Sequence, residues 1–244
     1  MGQKVNPKSL RLGITKNWDS RWLVSKKNFP LTLEEDFKIR SYLTKSLKNA
    51  GLESVRIERL GSNVKVNVAA ARPGVIIGRG GKGIEKAKNE LDKIIKKHRT
   101  ENKIKNNYNL NIDIEEIKKP NSSAAIVAQG IAENIEKRMP FRRTMKKTIE
   151  QVSQQKEVQG IKIKMSGRLD GAEISRREWL DWGKMPLQTL RADIDYAEAT
   201  AHCSYGTVGI KVWIYKGEVF EEKSQIPTPK KCKNFLFLCL FPRK

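Results

Sequence analysis

Two short stretches of this sequence carry residue types whose spacing suits one kind of chemistry, the holding of anions. The first is Gly78-Arg79-Gly80-Gly81-Lys82, approached through Arg72-Pro73-Gly74-Val75-Ile76-Ile77. A Gly-x-x-Gly lets the backbone come within contact distance of a ligand. The free amides of a helix starting just after it favour a phosphate. Arg72, Arg79 and Lys82 add positive charge at the same place. The second stretch is Arg142, Arg143, Lys146 and Lys147, with no acid among them. Such a set repels itself in water and makes better sense beside phosphates. A solvated basic helix face is the competing reading.

The elements that must position the first stretch are legible. Val64, Val66 and Val68 alternate as in a strand, and Ile84, Ala87, Leu91, Ile94 and Ile95 recur at helical spacing. A strand, a glycine loop and a helix in that order suit an RNA backbone clamp of the KH kind. The same residues admit other readings. Gly78-x-Gly80-x-x-Gly83 also spells a dinucleotide fingerprint, which needs a strand with an acid about 20 residues further on. That distance falls in Lys96 to Lys103, which reads as a basic loop. No Gly-x-x-x-x-Gly-Lys-Ser/Thr is present, so a nucleotide-hydrolysing loop has no support. A glycine turn without a ligand stays open at this level.

The bulk properties favour the anion readings. The 244 residues fit one large domain or two small ones, and 49 Lys and Arg against 27 Asp and Glu give a formal net charge of +22. That excess points to a polyanion, either nucleic acid or an anionic membrane surface. The longest apolar run, Phe235 to Phe241, is too short to span a bilayer. There is no signal peptide pattern, and Asn6 breaks the myristoylation motif begun by Met1-Gly2. Cys203, Cys232 and Cys239 lack metal-ligand spacing, and His98 and His202 do not cluster with them, so both histidines read as structural. No paired carboxylates or nucleophile-base set supports catalysis, so neither cofactor, metal nor small-molecule substrate is expected.

Taken in order, the chain opens with a basic segment from Met1 to Trp22. Lys4, Lys8, Arg11, Lys16 and Arg21 face a single acid, Asp19. It reads either as a disordered terminus or as an arm ordered by nucleic acid, with Lys4 and Arg11 as candidate RNA contacts. Thr32 to Glu35 spells a capping box for a helix that Gly51 stops. Strands over Val55–Leu60 and Val64–Ala70 flank a turn at Gly61-Ser62-Asn63. The glycine loop, its helix to about Lys97, and a strand around Leu110, Ile112 and Ile114 follow. Beyond Lys118-Lys119-Pro120-Asn121 come two helices, one with Ala124, Val127, Ala128, Ile131 and Ile135 as its stripe, the other opening at Phe141. Asn121 or a following Ser reads as the cap of the first. Strands come last, with a tight hairpin expected at Asp170-Gly171 and another around Ser204 to Thr207. The fold class is α+β: a helix-covered sheet, then two helices on a sheet of about four strands.

Several motifs together resemble the bacterial-type small-subunit ribosomal protein number three family. They are Met1 to Pro7 with Leu10 to Ile14, Arg72 to Gly78, Phe141-Arg142-Arg143 with Lys146, Ser166 to Leu169, Gly171 to Ile174, Pro186-Leu187 with Thr189 to Tyr196, and Tyr205-Gly206 to Lys216. The resemblance runs to about Val219. It implies a type II KH domain and then a family-specific α+β domain; with the basic opening and the tail, the chain is read as an arm over 1–30, the KH domain over 31–118, the second domain over 119–222 and an extension over 223–244. The resemblance implies a non-enzymatic place in the head of a cytoplasmic small ribosomal subunit, bound to its rRNA beside small-subunit proteins ten and fourteen. It also implies an mRNA entry face at Arg142, Arg143 and Lys146, with Lys147 adjoining. Gly80 stands where the family often has a basic residue, and the tail beyond Glu221 has no counterpart. A free-standing KH regulator of single-stranded RNA is the alternative.

Overall fold

The computed structural model describes residues 5–102 and 108–220, so Lys4, Cys232, Cys239 and the apolar run Phe235 to Phe241 lie outside the described residues. A short helix α1 (Pro7–Leu10) and a two-residue strand β1 (Ser20–Arg21) precede the long helix α2 (Phe29–Ser46). Then come β2 (Leu52–Leu60), β3 (Asn63–Ala70), α3 (Pro73–Ile77), α4 (Lys82–Glu101) and β4 (Asn109–Glu116). The strands form one sheet in the order β1-β2-β3-β4. β2 and β3 are antiparallel through a two-residue turn at Gly61-Ser62, while β4 runs parallel to β3. Alternation explains the layering. Val64, Val66 and Val68 point to one face and are buried there against Ile39 and Leu43 of α2 and Leu91 and Ile95 of α4.

The second half begins with α5 (Ala124–Glu136) and α6 (Phe141–Ser153). It continues with β5 (Gly160–Gly167), β6 (Arg176–Gly183), β7 (Ala192–Cys203) and β8 (Gly206–Glu218). These strands make an antiparallel sheet in the order β6-β5-β8-β7. Ile161, Ile163 and Met165 of β5, with Val208, Ile210, Val212 and Ile214 of β8, face the apolar stripe of α5 and Met145 of α6. The other face has a smaller core of its own. Tyr196, Trp213 and Tyr215 pack with Ile194 under Met185 and Leu187. There the Tyr196 hydroxyl donates to Glu198, and burial raises its pKa. That hydroxyl, and then Lys211, hold the Glu198 carboxylate below its usual range.

The arm reading needs correcting, because residues 5–22 dock on the protein itself. Arg11, expected at RNA, is fully buried. Its guanidinium donates to the carbonyls of Ala192 at 2.8 Å, Thr189 at 2.9 Å, Leu187 at 3.0 Å and Pro7 at 3.1 Å. With four of its five donors engaged and the side chain shut off from solvent, it is not open to a phosphate. Lys8 pairs with Asp195 at 3.3 Å and Lys16 with Asp193 at 2.6 Å, both on β7. The arm then crosses to the first sheet, where β1 adds parallel to β2 and Trp22 Nε1 donates to Asp36 Oδ2 at 2.8 Å.

Other expectations change for related reasons. α2 starts at Phe29, so Thr32 is no cap; its hydroxyl donates back to the Asn28 carbonyl. Glu35 of the supposed capping box is buried instead, 3.2 Å from Arg59 Nη1 and 3.1 Å from Arg99 Nη2. Asp36 beside it takes Arg59, Ser20 and Trp22. The stretch Lys96 to Glu101 is helix, the last turns of α4, with His98 and Arg99 buried, rather than a basic loop. Ser123, a serine following Asn121, does occupy the N-cap position of α5, but its hydroxyl makes no capping bond. The Ala124 N–H donates to Asp195 Oδ2 at 2.8 Å. Asp170 and Gly171 both take positive φ, but as part of a longer connection from Arg168 to Ser175 and not a tight hairpin.

Two stability tests follow from this packing. Asp36→Ala leaves the Arg59 guanidinium buried with half its partners, so unfolding free energy should drop by about 3 kcal/mol in a denaturant titration. Arg11→Ala strands several buried carbonyls, each costing about 1–3 kcal/mol. It should lower stability by at least about 3 kcal/mol while leaving the salt slope of RNA binding unchanged; a reduced slope would place Arg11 at phosphate after all.

Candidate nucleic-acid interface

The glycine loop is built by the need to turn sharply from α3 into α4. Gly78, Gly80 and Gly81 all have positive φ, at +67°, +62° and +78°. A β-carbon is disfavoured at all three. Gly83 has a different job: a Cβ there would lie 2.3 Å from the Ile76 carbonyl oxygen. The absence of a side chain lets the first turn of α4 sit against the end of α3. No side chain caps α4, so its first amides are open at the loop. Arg72, Arg79 and Lys82 are all exposed around it, with Glu85 in the first turn of the helix. The structure thus gathers Gly78, Arg79, Gly80, Gly81, Lys82 and Arg72 where α3 turns into α4. Arg11 is elsewhere, inside the fold.

The second cluster sits on α6. Phe141, Thr144, Met145 and Val152 turn inward, which leaves Arg142, Arg143, Lys146 and Lys147 exposed. The start of the helix is fixed by Asp170, whose carboxylate accepts from the Phe141 N–H at 3.2 Å. Glu178 on β6 binds Arg142 Nε and Arg176 Nε, each at 3.2 Å. Both guanidiniums lie over the Phe141 ring, at 5.8 and 5.5 Å from its centroid. Among the described residues, Arg143, Lys146 and Lys147 have no carboxylate partner. Sequence reasoning missed Asp170, Glu178 and Arg176. No local signal could supply them, since they reach α6 only through the pairing of β5 with β6.

Both halves match known family models. Residues 38–122 match the KH domain, and residues 131–214 match the model described as ribosomal protein S3, C-terminal domain. The small ribosomal subunit protein uS3 of Campylobacter concisus (strain 13826) is 48% identical over 239 residues, covering 96% of this chain and 98% of that protein. The chain belongs to the uS3 family. Other uS3 proteins agree: that of Desulforamulus reducens is 48% identical over 91% of this chain and 95% of its own length. That of Clostridium botulinum (strain Okra) is 47% identical over 93% and 96%. The uS3 family is structural and non-enzymatic, so the dinucleotide reading of the glycines falls away. The predicted resemblance and the α+β class with a KH domain both hold. Among the described residues, no helix is long and apolar enough to cross a membrane.

The close approach at Gly83 is testable. Gly83→Ala forces the start of α4 away from Ile76 and should cost about 1–3 kcal/mol of stability. It should also weaken single-stranded RNA binding in a fluorescence anisotropy titration, although no cation is removed.

Proposed function

We propose that this chain is a structural constituent of the small ribosomal subunit head, where it binds the subunit's rRNA and lines the path of incoming mRNA. The observation that carries the reading is the exposed α6 face, on which Arg143, Lys146 and Lys147 stand without acidic partners and Arg142 is steadied by Glu178. Phosphates are the natural counter-charge for such a face. The four cations grip mRNA at its entry and help open structured segments. The energy for opening comes from translocation by the ribosome, because the face itself offers only electrostatics. The loop residues Gly78 to Lys82, with Arg72, hold a phosphodiester backbone through open helix amides and nearby charge. Lys4, which lies outside the described residues, is a further rRNA contact in this reading. Small-subunit proteins ten and fourteen are its neighbours, and the particle is cytoplasmic.

Replacing Arg142, Arg143 and Lys146 together with Ala tests this. Small subunits should still assemble, and translation through mRNA hairpins should slow relative to unstructured message. Loss of assembly would make the face an rRNA anchor instead. For the isolated protein on single-stranded RNA, the salt dependence of binding should fall by about 0.7 for each phosphate contact removed.

A further inference from the structure

The face of the second sheet that turns away from α5 and α6 carries an unexplained surface. Register fixes its membership. Because Ile161, Ile163 and Met165 point at the helices, Lys162, Lys164 and Ser166 point the other way. Their partners on β6 are Asp181, Trp179 and Arg177; on β8, Lys164 faces Lys211. The result is a row running Trp179, Lys164, Lys211 and Glu198 across four strands. Trp179 is 57% exposed, although it sits in mid-strand on a regular sheet. Its direct cross-strand neighbour is a lysine, and an arginine lies two residues along. Lys162 and Lys211 have acidic partners, Asp181 at 4.0 Å and Glu198 at 2.9 Å. Among the described residues, Lys164 and Arg177 have none.

A large aromatic ring left in water beside unpaired cations on a flat sheet matches the needs of a nucleotide. The ring offers a stacking surface that accepts any base, and the cations meet the phosphates on either side. We infer that the outer face of this sheet is a second RNA contact, in which a single-stranded nucleotide stacks on Trp179 while Lys164 and Arg177 hold its flanking phosphates. This surface lies on the opposite side of the sheet from α6. It neither uses Arg142, Arg143, Lys146 or Lys147 nor depends on their role in mRNA entry. Charge decides for RNA over an apolar protein partner. By register the ring's nearest neighbours on this face are Lys164, Arg177 and Asp181, all charged, and the chain as a whole carries +22.

The test uses the full chain with Arg142, Arg143 and Lys146 already changed to Ala, so that the two surfaces are read separately. A fluorescein-labelled oligouridylate of about a dozen nucleotides is titrated by anisotropy. Trp179→Ala should weaken binding by about 5- to 150-fold, the range for loss of one stacked base. Trp179→Phe should retain most of the affinity. Lys164→Ala and Arg177→Ala should each lower the salt slope by about 0.7. In the otherwise unchanged protein, 4-thiouridine RNA should crosslink to the peptide that contains Trp179. Unchanged affinity in Trp179→Ala, with circular dichroism showing an intact fold and no crosslink there, overturns the inference. So does a Trp179→Ala protein that binds RNA normally but fails to enter ribosomal particles, since the face would then contact a protein.

Discussion

Acidic side chains are the scarce resource of this molecule, and where they go decides what the rest can do. With 27 carboxylates against 49 cations, a net charge of +22 cannot be neutralised from within. A few acids sit where the fold would otherwise fail. Glu35 and Asp36 hold Arg59 and Arg99 inside the first half. Asp193 and Asp195 receive the arm, and Asp195 also caps α5. Asp170 caps α6, and Glu178 gathers Arg142 and Arg176. Buried charges need partners far more than exposed ones do. These acids serve the interior and the junctions, while the glycine loop, much of α6 and, on the outer sheet face, Lys164 and Arg177 keep cations without acidic partners among the described residues.

The same allocation explains how two separately cored halves hold together. The arm touches both. Arg11 and two lysines fix it to β7 and its preceding loop, and Ser20 and Trp22 fix it to α2. A direct contact supplements it, where Gln129 on α5 donates to the Leu52 carbonyl at 3.1 Å. Using a buried guanidinium to satisfy loop carbonyls is costly in desolvation, but the planar fork reaches several acceptors at once. An arm of this kind positions the loop corner and the α6 face within one body rather than on two tethered ones.

Much of this was legible in the sequence, because periodicity is a local property. Every strand of the first sheet from β2 onward, the glycine loop, the buried stripe of α5 and the basic side of α6 follow from alternation or helical spacing. The failures share one cause, which is a partner distant along the chain. Thr32 to Glu35 satisfies a capping pattern, yet Glu35 is drawn inward by Arg59 and Arg99. Arg11 looks like its neighbours Lys8 and Lys16 on paper; only the loop carbonyls around Leu187 and Thr189 separate it from them. Lys96 to Glu101 looked too polar for a buried helix end, but His98 and Arg99 reach Glu34 and Glu35. The outer-face core of Tyr196, Trp213 and Tyr215 escaped notice because the opposite residues of β8 already explained burial.

The pairing of Arg142 with Glu178 bears on the mRNA role proposed for the α6 face. An exposed ion pair contributes only about 0–1 kcal/mol. A phosphate therefore competes with Glu178 on nearly equal terms, while the Phe141 ring keeps the guanidinium in place either way. A face made only of free cations would bind RNA tightly and release it slowly. One whose leading arginine alternates between a carboxylate and passing phosphates lets each phosphate go as the next arrives. Arg143, Lys146 and Lys147 then supply attraction over a Debye length of about 8 Å at physiological salt, and Arg142 supplies a site that empties readily. Such a division of labour would suit the passage of mRNA that we propose for this face.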